Sequence, residues 1–176
     1  MTIYTPKYHP NGNEVAVITT SKGVIKAKLA GNDAPVHVGN FIELAQSGFY
    51  NGLKFHRYVR DFVIQGGCPH TRSLSPEQIV SGRAFPPPGT GDPGYEIKGE
   101  WMVNPNNRHE DGTLAMARSQ DPDSAGSQFY FCLGPQHFLD SNYTVFGAAL
   151  DEDDIDVIHK LRAGDEILSV VIENAD

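Results

Sequence analysis

Short runs of alternating or β-branched apolar residues recur along the chain and predict β-strands. Residues 14–31, EVAVITTSKGVIKAKLAG, contain two such runs around Ser21-Lys22-Gly23, which indicates a β-hairpin. Similar runs follow as FHRYVRDFVIQGG (55–67), YEIKGEW (95–101), TLAMAR (113–118), SQFYFCL (127–133), TVFGAAL (144–150) and EILSVVIEN (166–174). Strands at such short intervals are typical of a mainly β domain.

Helical spacing of apolar residues occurs in two segments. The first helix is expected to have Asn32 or Asp33 as its N-cap and Pro35 in its first turn, and to end before Gly48. Its predicted buried face consists of Val38, Phe41, Ile42 and Ala45. The second helix is expected over 151–162, where the acidic run DEDD suits the helix start as a solvated cap. Two helices without a regular strand–helix alternation favour an antiparallel barrel or sandwich over a doubly wound sheet.

The composition fits one compact domain with a sizeable core, since the chain has 176 residues and is 39% hydrophobic. No apolar run approaches the roughly 18 residues that a membrane span needs, and the N-terminus lacks the basic start and apolar stretch of a secretory signal. We therefore expect a cytoplasmic protein with no membrane association. The net charge of −8 argues against nucleic acid as the main partner, because duplex binding needs cations that neutralise phosphates.

Neither the cysteines nor the histidines show the spacing of a metal site. Cys68 and Cys132 lie far apart along the sequence, and such isolated cysteines are most often buried, reduced thiols. The seven histidines include no H-x-x-H or HExxH pair, so no zinc hydrolase is visible. No nucleophile elbow or cysteine–histidine signature is present either, although a triad of distant residues would leave no such pattern. We expect neither a metal nor another cofactor.

Two short motifs match ligand-binding patterns in form only. GTGDPG (89–94) satisfies the G-x-G-x-x-G pattern of dinucleotide sites, which should follow a strand and open a helix. Three prolines precede it, Pro93 lies inside it and a strand-like run follows it, so we reject nucleotide binding. DPDSAG (121–126) begins like a calcium loop but has Ala125 and Cys132 where oxygen ligands belong, and a polar turn is expected there.

A segment rich in proline and glycine lies in the middle of the chain. Residues 69–94 include FPPPGTGDPG and predict a long irregular loop. Loops of this kind often carry chemistry, but they also vary without functional consequence. The sequence leaves open whether this loop screens substrates, binds a partner or is an inert excursion.

Four segments in a fixed order carry a family resemblance: FHRYVRDFVIQGG, GTLAMARS, AGSQFYFCLG and FLDSNYTVFG. Together with the SKGVIKAKL hairpin and the GTGDPGY turn, they resemble the cyclophilin family of peptidyl-prolyl cis-trans isomerases, in its bacterial form. The likeness covers roughly residues 14–174. It implies a closed eight-stranded antiparallel β-barrel capped by two α-helices. It also implies that residues 14–176 form the domain, with a loop insertion at about 70–88, and that residues 1–13 are an N-terminal extension.

The resemblance also implies a substrate groove on the outer face of the barrel. From its strand-like stretch alone, Arg57 is better interpreted as a solvated edge residue. By motif, however, Arg57 and Gln65 resemble the family's catalytic arginine and its neighbouring glutamine. The substrate-binding positions implied in the same way are Phe62, Val63, Ala117, Arg118, Gln128, Tyr130, Phe138, Leu139 and Tyr143.

The implied reaction is rotation about X-Pro peptide bonds without a covalent intermediate. Arg57 would donate hydrogen bonds to the twisted prolyl amide beside an apolar pocket. The expected partners are proline-containing peptides and unfolded or flexible protein segments, and a monomer is expected. A binding module that kept the groove but lost catalysis is the alternative, and Arg57 and Gln65 favour the enzyme.

Several positions depart from frequent family residues. Phe138 stands where many eukaryotic members carry tryptophan, whose N–H donates to cyclosporin, so weak cyclosporin binding is expected. Tyr143 replaces a frequent histidine and Arg118 a frequent asparagine, changes that are expected to alter substrate preference. Arg60-Asp61 stands where relatives often have Pro-Gly, and a polar turn is expected there.

Overall fold

The fold is described by a computed structural model of residues 2–174; Met1, at the start of the predicted extension, and Ala175 and Asp176, at the end of the predicted domain, lie outside the described residues. The strands are β1 (Glu14–Thr20), β2 (Gly23–Leu29), β3 (Arg57–Val59), β4 (Val63–Gly66), β5 (Thr113–Met116), β6 (Phe129–Cys132), β7 (Val145–Ala149) and β8 (Ile167–Asn174). The α-helices are α1 (Pro35–Gln46), α2 (Pro76–Ser81) and α3 (Glu152–Lys160), and 3-10 helices span Pro69–Ser73 and His137–Leu139. These elements confirm the mainly β prediction.

All eight strands belong to one antiparallel sheet in the order β3-β4-β6-β5-β7-β2-β1-β8. β3 and β8 are its ends, and no ladder within residues 2–174 joins them. The segments preceding these two strands meet at an isolated bridge between Lys54 and Glu166 and through a few backbone hydrogen bonds, such as Phe55 N to Asp165 O at 2.9 Å. The prediction of eight antiparallel strands is therefore confirmed, but the prediction that they form a closed barrel is wrong. The sheet is an open half-barrel, because the three-residue β3 pairs with β4 alone.

The first hairpin shows how the sequence sets the two faces of the sheet. β1 and β2 are joined at Ser21-Lys22, as predicted, and Gly23 starts β2 with a φ of +135°, which glycine adopts without strain. Alternate side chains of β2 then point into the core and are fully buried: Ile25, Ala27 and Leu29. The period of two along the strand thus separates core from surface.

The core lies between the sheet and α1 and is centred on Phe129 of β6. The predicted apolar face of α1 is confirmed, since its members are all buried: Val38, Phe41, Ile42 and Ala45. The fully buried Phe129 ring lies 5.4–6.1 Å from the ring centres of Phe41, Tyr50, Phe55 and Phe131. These edge-on contacts add to the free energy gained from burial alone.

The start of α1 differs from the prediction. Its N-cap is Ala34, which offers no side-chain hydrogen bond, and the predicted caps Asn32 and Asp33 precede it. The Glu100 carboxylate accepts instead from the backbone amide of His37 at 2.8 Å and from that of the preceding residue at 3.0 Å. A residue distant in sequence therefore satisfies amides that a local cap would otherwise bind.

α3 confirms the second predicted helix within 151–162. Asp151 is its N-cap and accepts from the backbone amides of Asp153 and Asp154. The prediction of a solvated acidic run is wrong for Asp154, which is buried and accepts a hydrogen bond from the Lys26 amide at 2.8 Å. The acidic start of α3 therefore also attaches this helix to β2.

Residues 69–94, predicted as an irregular loop, contain both a 3-10 helix and α2. α2 begins with a capping box at Ser75 and with Pro76 in its first turn, and it buries Ile79. Both features are ordinary signals of a helix start, but the surrounding prolines and glycines obscured them. The predicted number of two helices is therefore too low.

Two further segments near this region were predicted as a strand and a turn. The run 95–101 is not a strand of the sheet, because Ile97 forms only an isolated bridge with Ala125. In the segment 121–126, Ser124 N donates to Asp121 O at 3.1 Å, which confirms the polar turn.

The cysteines are as predicted: Cys68 and Cys132 are both free and both buried. Cys68 Sγ accepts a hydrogen bond from Gly91 N at 3.3 Å. Among the helices of residues 2–174, none is long and apolar enough to cross a membrane.

Replacement of Phe129 by alanine should lower the free energy of unfolding by about 3–5 kcal/mol, because it leaves a cavity among four aromatic rings. Urea denaturation followed by circular dichroism measures this change. Phe85→Ala is the matched control, since Phe85 is 86% exposed, and it should cost less than about 0.5 kcal/mol. Equal losses in the two variants would contradict the central position of Phe129.

Candidate active site

The hairpin of β3 and β4 places the two predicted catalytic side chains opposite each other. Arg57 pairs with Gln65 across the antiparallel ladder, and directly opposed residues share one face of a sheet. Arg60-Asp61 forms the connecting turn, where Asp61 adopts the left-handed conformation with a φ of +59°. Aspartate tolerates this conformation better than most residues. The polar turn predicted at this position is thus confirmed.

A chain of hydrogen bonds runs from Arg57 through two side-chain amides to the backbone. Arg57 Nη1 donates to Gln65 Oε1 at 3.5 Å, and Gln65 Nε2 donates to Gln128 Oε1 at 3.0 Å. Gln128 Nε2 donates in turn to the carbonyl oxygens of Gly89 and Gly91, both at 2.9 Å. Because each amide has one accepting and one donating end, these bonds orient both glutamines and direct an oxygen towards Arg57.

A cavity of about 370 Å³ opens beside this hairpin, and we call it the hairpin cavity. Its lining residues are His56, Arg57, Phe62, Val63, Gln65, Pro88, Gly89, Ala117, Arg118, Tyr130, Leu139 and Tyr143. The cavity therefore brings together all the predicted site residues except Gln128 and Phe138. Its apolar wall consists of Phe62, Val63, Tyr130 and Leu139, which come from two strands, a turn and a 3-10 helix.

The two remaining predicted residues lie next to the hairpin cavity. Gln128 lines an adjoining cavity of about 280 Å³, which shares four wall residues with the first: Gln65, Gly89, Ala117 and Arg118. Phe138 is 66% exposed, and its ring stacks on that of Phe62 at 5.7 Å. Phe138 thus extends the apolar surface outwards from the cavity wall.

Arg118 is held rigidly between two aromatic rings. Its guanidinium carbon lies 5.2 Å from the Trp101 ring centre and 4.7 Å from that of Tyr143. Arg118 Nε and Nη2 donate to Asn142 O at 3.0 Å and 2.6 Å, and Nη1 donates to Ser119 O at 2.9 Å. Most of its donors are therefore used within the protein, and its charge stays at the boundary between the two cavities.

The sequence did not identify three residues of the hairpin cavity: His56, Pro88 and Gly89. His56 directly precedes Arg57, so its place in the same motif was a usable signal. Pro88 belongs to the predicted insertion, which therefore reaches the cavity at its end. Gly89 has a φ of +95°, and a side chain there would approach His56 Nε2 at 3.3 Å. Glycine at this position avoids both the backbone strain and the close approach to His56.

The walls of the hairpin cavity contain two permanently charged arginines, Arg57 and Arg118, and two groups whose pKa is shifted, His56 and Tyr130. Burial, together with the nearby charge of Arg57, lowers the pKa of His56 to about 4. Burial also raises the pKa of the Tyr130 hydroxyl well above its ordinary value. Both side chains are therefore neutral near pH 7. Within residues 2–174, no group of histidine, cysteine and acidic side chains is arranged to hold a metal ion.

Comparisons with known proteins consistently indicate one family. The family model described as "Cyclophilin type peptidyl-prolyl cis-trans isomerase/CLD" matches residues 15–175. A peptidyl-prolyl cis-trans isomerase of Synechococcus elongatus is 43% identical over 157 residues, which are 89% of this chain and 94% of that protein. One from Helicobacter pylori is 41% identical over 160 residues, covering 91% of this chain and 87% of that protein.

A solved structure has the same fold. It is a cyclophilin-type peptidyl-prolyl cis-trans isomerase of Cryptosporidium parvum, described as obtained in the presence of the dipeptide Ala-Pro. It is 25% identical, covers 92% of this chain and 99% of that one, and superposes with a TM-score of 0.73. With a family match over most of its length and relatives above 40% identity, the chain belongs to the cyclophilin-type peptidyl-prolyl cis-trans isomerases, enzymes that accelerate rotation about X-Pro peptide bonds.

Proposed function

We propose that the hairpin cavity is the active site of this isomerase and that Arg57 and Gln65 are its catalytic residues. The proposed substrate-binding residues are Phe62, Val63, Ala117, Arg118, Gln128, Tyr130, Phe138, Leu139 and Tyr143. The position of Arg57 carries the proposal. Its exposed side chain lies at the margin of a cavity with one apolar wall, 5.7 Å from the Phe62 ring centre and within reach of Gln65.

The apolar wall of the cavity supports the binding of a proline ring. Phe62, Val63, Tyr130 and Leu139 present carbon surface to the cavity, and three of them are held rigidly by burial. A ring fixed there allows the preceding part of the peptide to rotate. The related Cryptosporidium parvum structure was obtained with Ala-Pro, and we propose the same substrate class here. The partners would be proline-containing peptides and unfolded or flexible protein segments.

The reaction needs no bond to be made or broken between enzyme and substrate. Rotation about X-Pro interrupts amide resonance against a barrier of about 20 kcal/mol. An acceleration of about five decades requires only about 7 kcal/mol of additional stabilisation of the twisted state, at about 1.36 kcal/mol per tenfold. Binding energy that is equal for the planar and twisted peptide contributes nothing to this difference.

Arg57 supplies the interaction that favours the twisted state. Once conjugation is lost, the prolyl nitrogen regains its lone pair and accepts a hydrogen bond. A guanidinium has five donors and a permanent charge, and Gln65 occupies one donor of Arg57 through a bond of 3.5 Å. Gln65, itself oriented by Gln128, positions the guanidinium while leaving its other donors for the substrate.

The proposed division of the chain is an extension at 1–13, the isomerase domain at 14–176 and an insertion at about 70–88. The N-terminal segment lies against α1, where the Glu43 carboxylate accepts from Tyr8 N at 2.8 Å and from Tyr4 Oη at 2.5 Å. The family match begins at residue 15, one residue after the start of β1, which supports the boundary.

We also propose that the protein is a monomer that acts in the cytoplasm. Its two cysteines are free and buried, as is usual for proteins of a reducing compartment. Weak binding of cyclosporin is part of the same proposal, because the side chain of Phe138 has no N–H with which to donate.

Substitution of Arg57 by alanine should lower kcat about 100-fold with a much smaller change in KM, because it removes a donor used mainly in the twisted state. NMR exchange on an Ala-Pro peptide measures both constants. Arg57→Lys keeps the charge but not the planar set of donors, and should lie between wild type and Arg57→Ala. Full activity of Arg57→Ala would refute the mechanism, and a wild type no faster than the uncatalysed reaction would indicate a pure binding module.

The pH dependence of catalysis should be flat, because no proposed catalytic group titrates near neutrality. We expect kcat/KM to change by less than about twofold between about pH 8 and pH 5.5. A bell-shaped profile of kcat/KM centred near neutrality would indicate general acid–base catalysis.

At lower pH the fold itself should become less stable. His56 has a pKa of about 4 in the folded chain and binds a proton more readily in the unfolded chain. The free energy of unfolding should therefore fall as the pH drops from about 6.5 towards 4.

Replacement of Phe138 by tryptophan should tighten cyclosporin binding about tenfold, the effect of one hydrogen bond of about 1.4 kcal/mol. Fluorescence or calorimetric titration of both proteins measures the change. Phe138→Leu, whose new side chain also lacks an N–H, should not bind more tightly than wild type. If the wild type already binds as tightly as members with tryptophan, the proposed reason for weak binding is wrong.

A further inference from the structure

His109 lies behind the hairpin cavity, fully buried and with all of its polar groups paired. Its backbone N and ring Nδ1 both meet Asp140 Oδ1, at 2.7 Å and 2.8 Å. Its carbonyl oxygen accepts from Gln136 N at 2.9 Å, and Nε2 lies 2.9 Å from the Tyr130 hydroxyl. The rings of His109 and Tyr130 are nearly parallel, at an interplanar angle of 14°. No part of this histidine depends on water for a partner.

The Asp140 carboxylate determines which nitrogen of His109 carries the proton. Burial lowers the pKa of His109 and outweighs the opposing hydrogen bond to Asp140, so the ring is neutral at physiological pH. Burial alone would raise the pKa of Asp140, but hydrogen bonds from His109 and His137 outweigh it, and the carboxyl stays ionised. Because a carboxylate only accepts, Nδ1 carries the proton and Nε2 accepts from the Tyr130 hydroxyl.

Tyr130 is the part of the proposed active site that this histidine contacts. The Tyr130 ring lines the hairpin cavity, is 4% exposed, and is approached edge-on by Tyr143 at 6.2 Å. A phenylalanine would fill the same wall without needing a partner. A buried hydroxyl without an acceptor is costly, so removal of Nε2 would drive the ring towards another partner.

We infer that His109, oriented by Asp140, is a positioning residue that fixes the Tyr130 ring in the wall of the hairpin cavity. This inference rests on the proposed function of that cavity. Neither His109 nor Asp140 lines the cavity, and their hydrogen bonds are separate from the amide chain that holds Arg57. The pair therefore acts on the binding of the proline ring and not on the rotation step.

A double-mutant cycle between His109 and Tyr130 tests this role. His109→Phe keeps a ring for stacking but removes the acceptor, and should raise KM for an Ala-Pro peptide about tenfold while kcat changes less than about threefold. In a Tyr130→Phe background there is no hydroxyl to satisfy, so the same substitution should raise KM less than about threefold. His159→Phe is the matched control. It removes a histidine–aspartate contact of 2.7 Å at the surface and should leave both constants unchanged.

Two substitutions of Asp140 test the placement of the proton, and they keep the inference testable if His109→Phe does not fold. Asp140→Asn retains an oxygen that accepts from Nδ1, so KM should stay within about threefold of wild type and nitrogen NMR of His109 should still show the proton on Nδ1. Asp140→Ala removes the acceptor. It should raise KM about tenfold and give a mixture of the two tautomers.

Wild type and Arg57→Ala are measured in the same assay, so that failure of the two proposals can be told apart. A wild type without catalysis would overturn the proposed function. If wild type and Arg57→Ala behave as proposed but KM is unchanged in His109→Phe and in Asp140→Ala, the positioning role is wrong. An equal rise in KM with and without the Tyr130 hydroxyl would likewise show that His109 only stabilises the fold.

Discussion

The antiparallel register between β4 and β6 is the constraint on which both the core and the proposed site depend. Ile64 lies opposite Phe131, and Gln65 lies opposite Tyr130. Because successive residues of a strand face opposite sides of the sheet, the first pair enters the core and the second faces the hairpin cavity. A shift of one residue would exchange the two faces. Burial of the aromatic core therefore also fixes the positions of the side chains that line the cavity.

The proposed site holds a permanent cation without a carboxylate partner. Within residues 2–174, Arg57 forms no ion pair, and its guanidinium lies against an amide oxygen of Gln65 and the face of the Phe62 ring. A carboxylate would bind two donors of the guanidinium and neutralise its charge. A neutral amide orients the same group while leaving its charge and most of its donors available. This arrangement suits a reaction in which a lone pair, and not a proton, is the target.

Most features that could be predicted from the sequence are encoded in short continuous segments. Strand alternation located the sheet, and one continuous motif carried both Arg57 and Gln65. Contacts between distant residues left no such pattern: Glu100 binds the first amides of α1, and His109 meets Tyr130 only in the folded chain. α2 was missed because its start lies among prolines that indicate a loop. The closed barrel was expected from family likeness, but an apolar pattern does not reveal that β3 has only three residues.

The proposed insertion is attached to the rest of the structure at both ends. Near its start, Thr71 Oγ1 accepts a hydrogen bond from Lys54 N at 3.0 Å, and just after its end Gly89 O accepts from Gln128 Nε2 at 2.9 Å. Both attachment points lie outside the stretch 72–88. A substitution at the rim of the cavity, where Pro88 lies, therefore replaces none of the side chains in the hydrogen-bond chain to Arg57. In the proposed active site, the rim beside Pro88 and the side chains that orient Arg57 thus belong to different stretches of one chain.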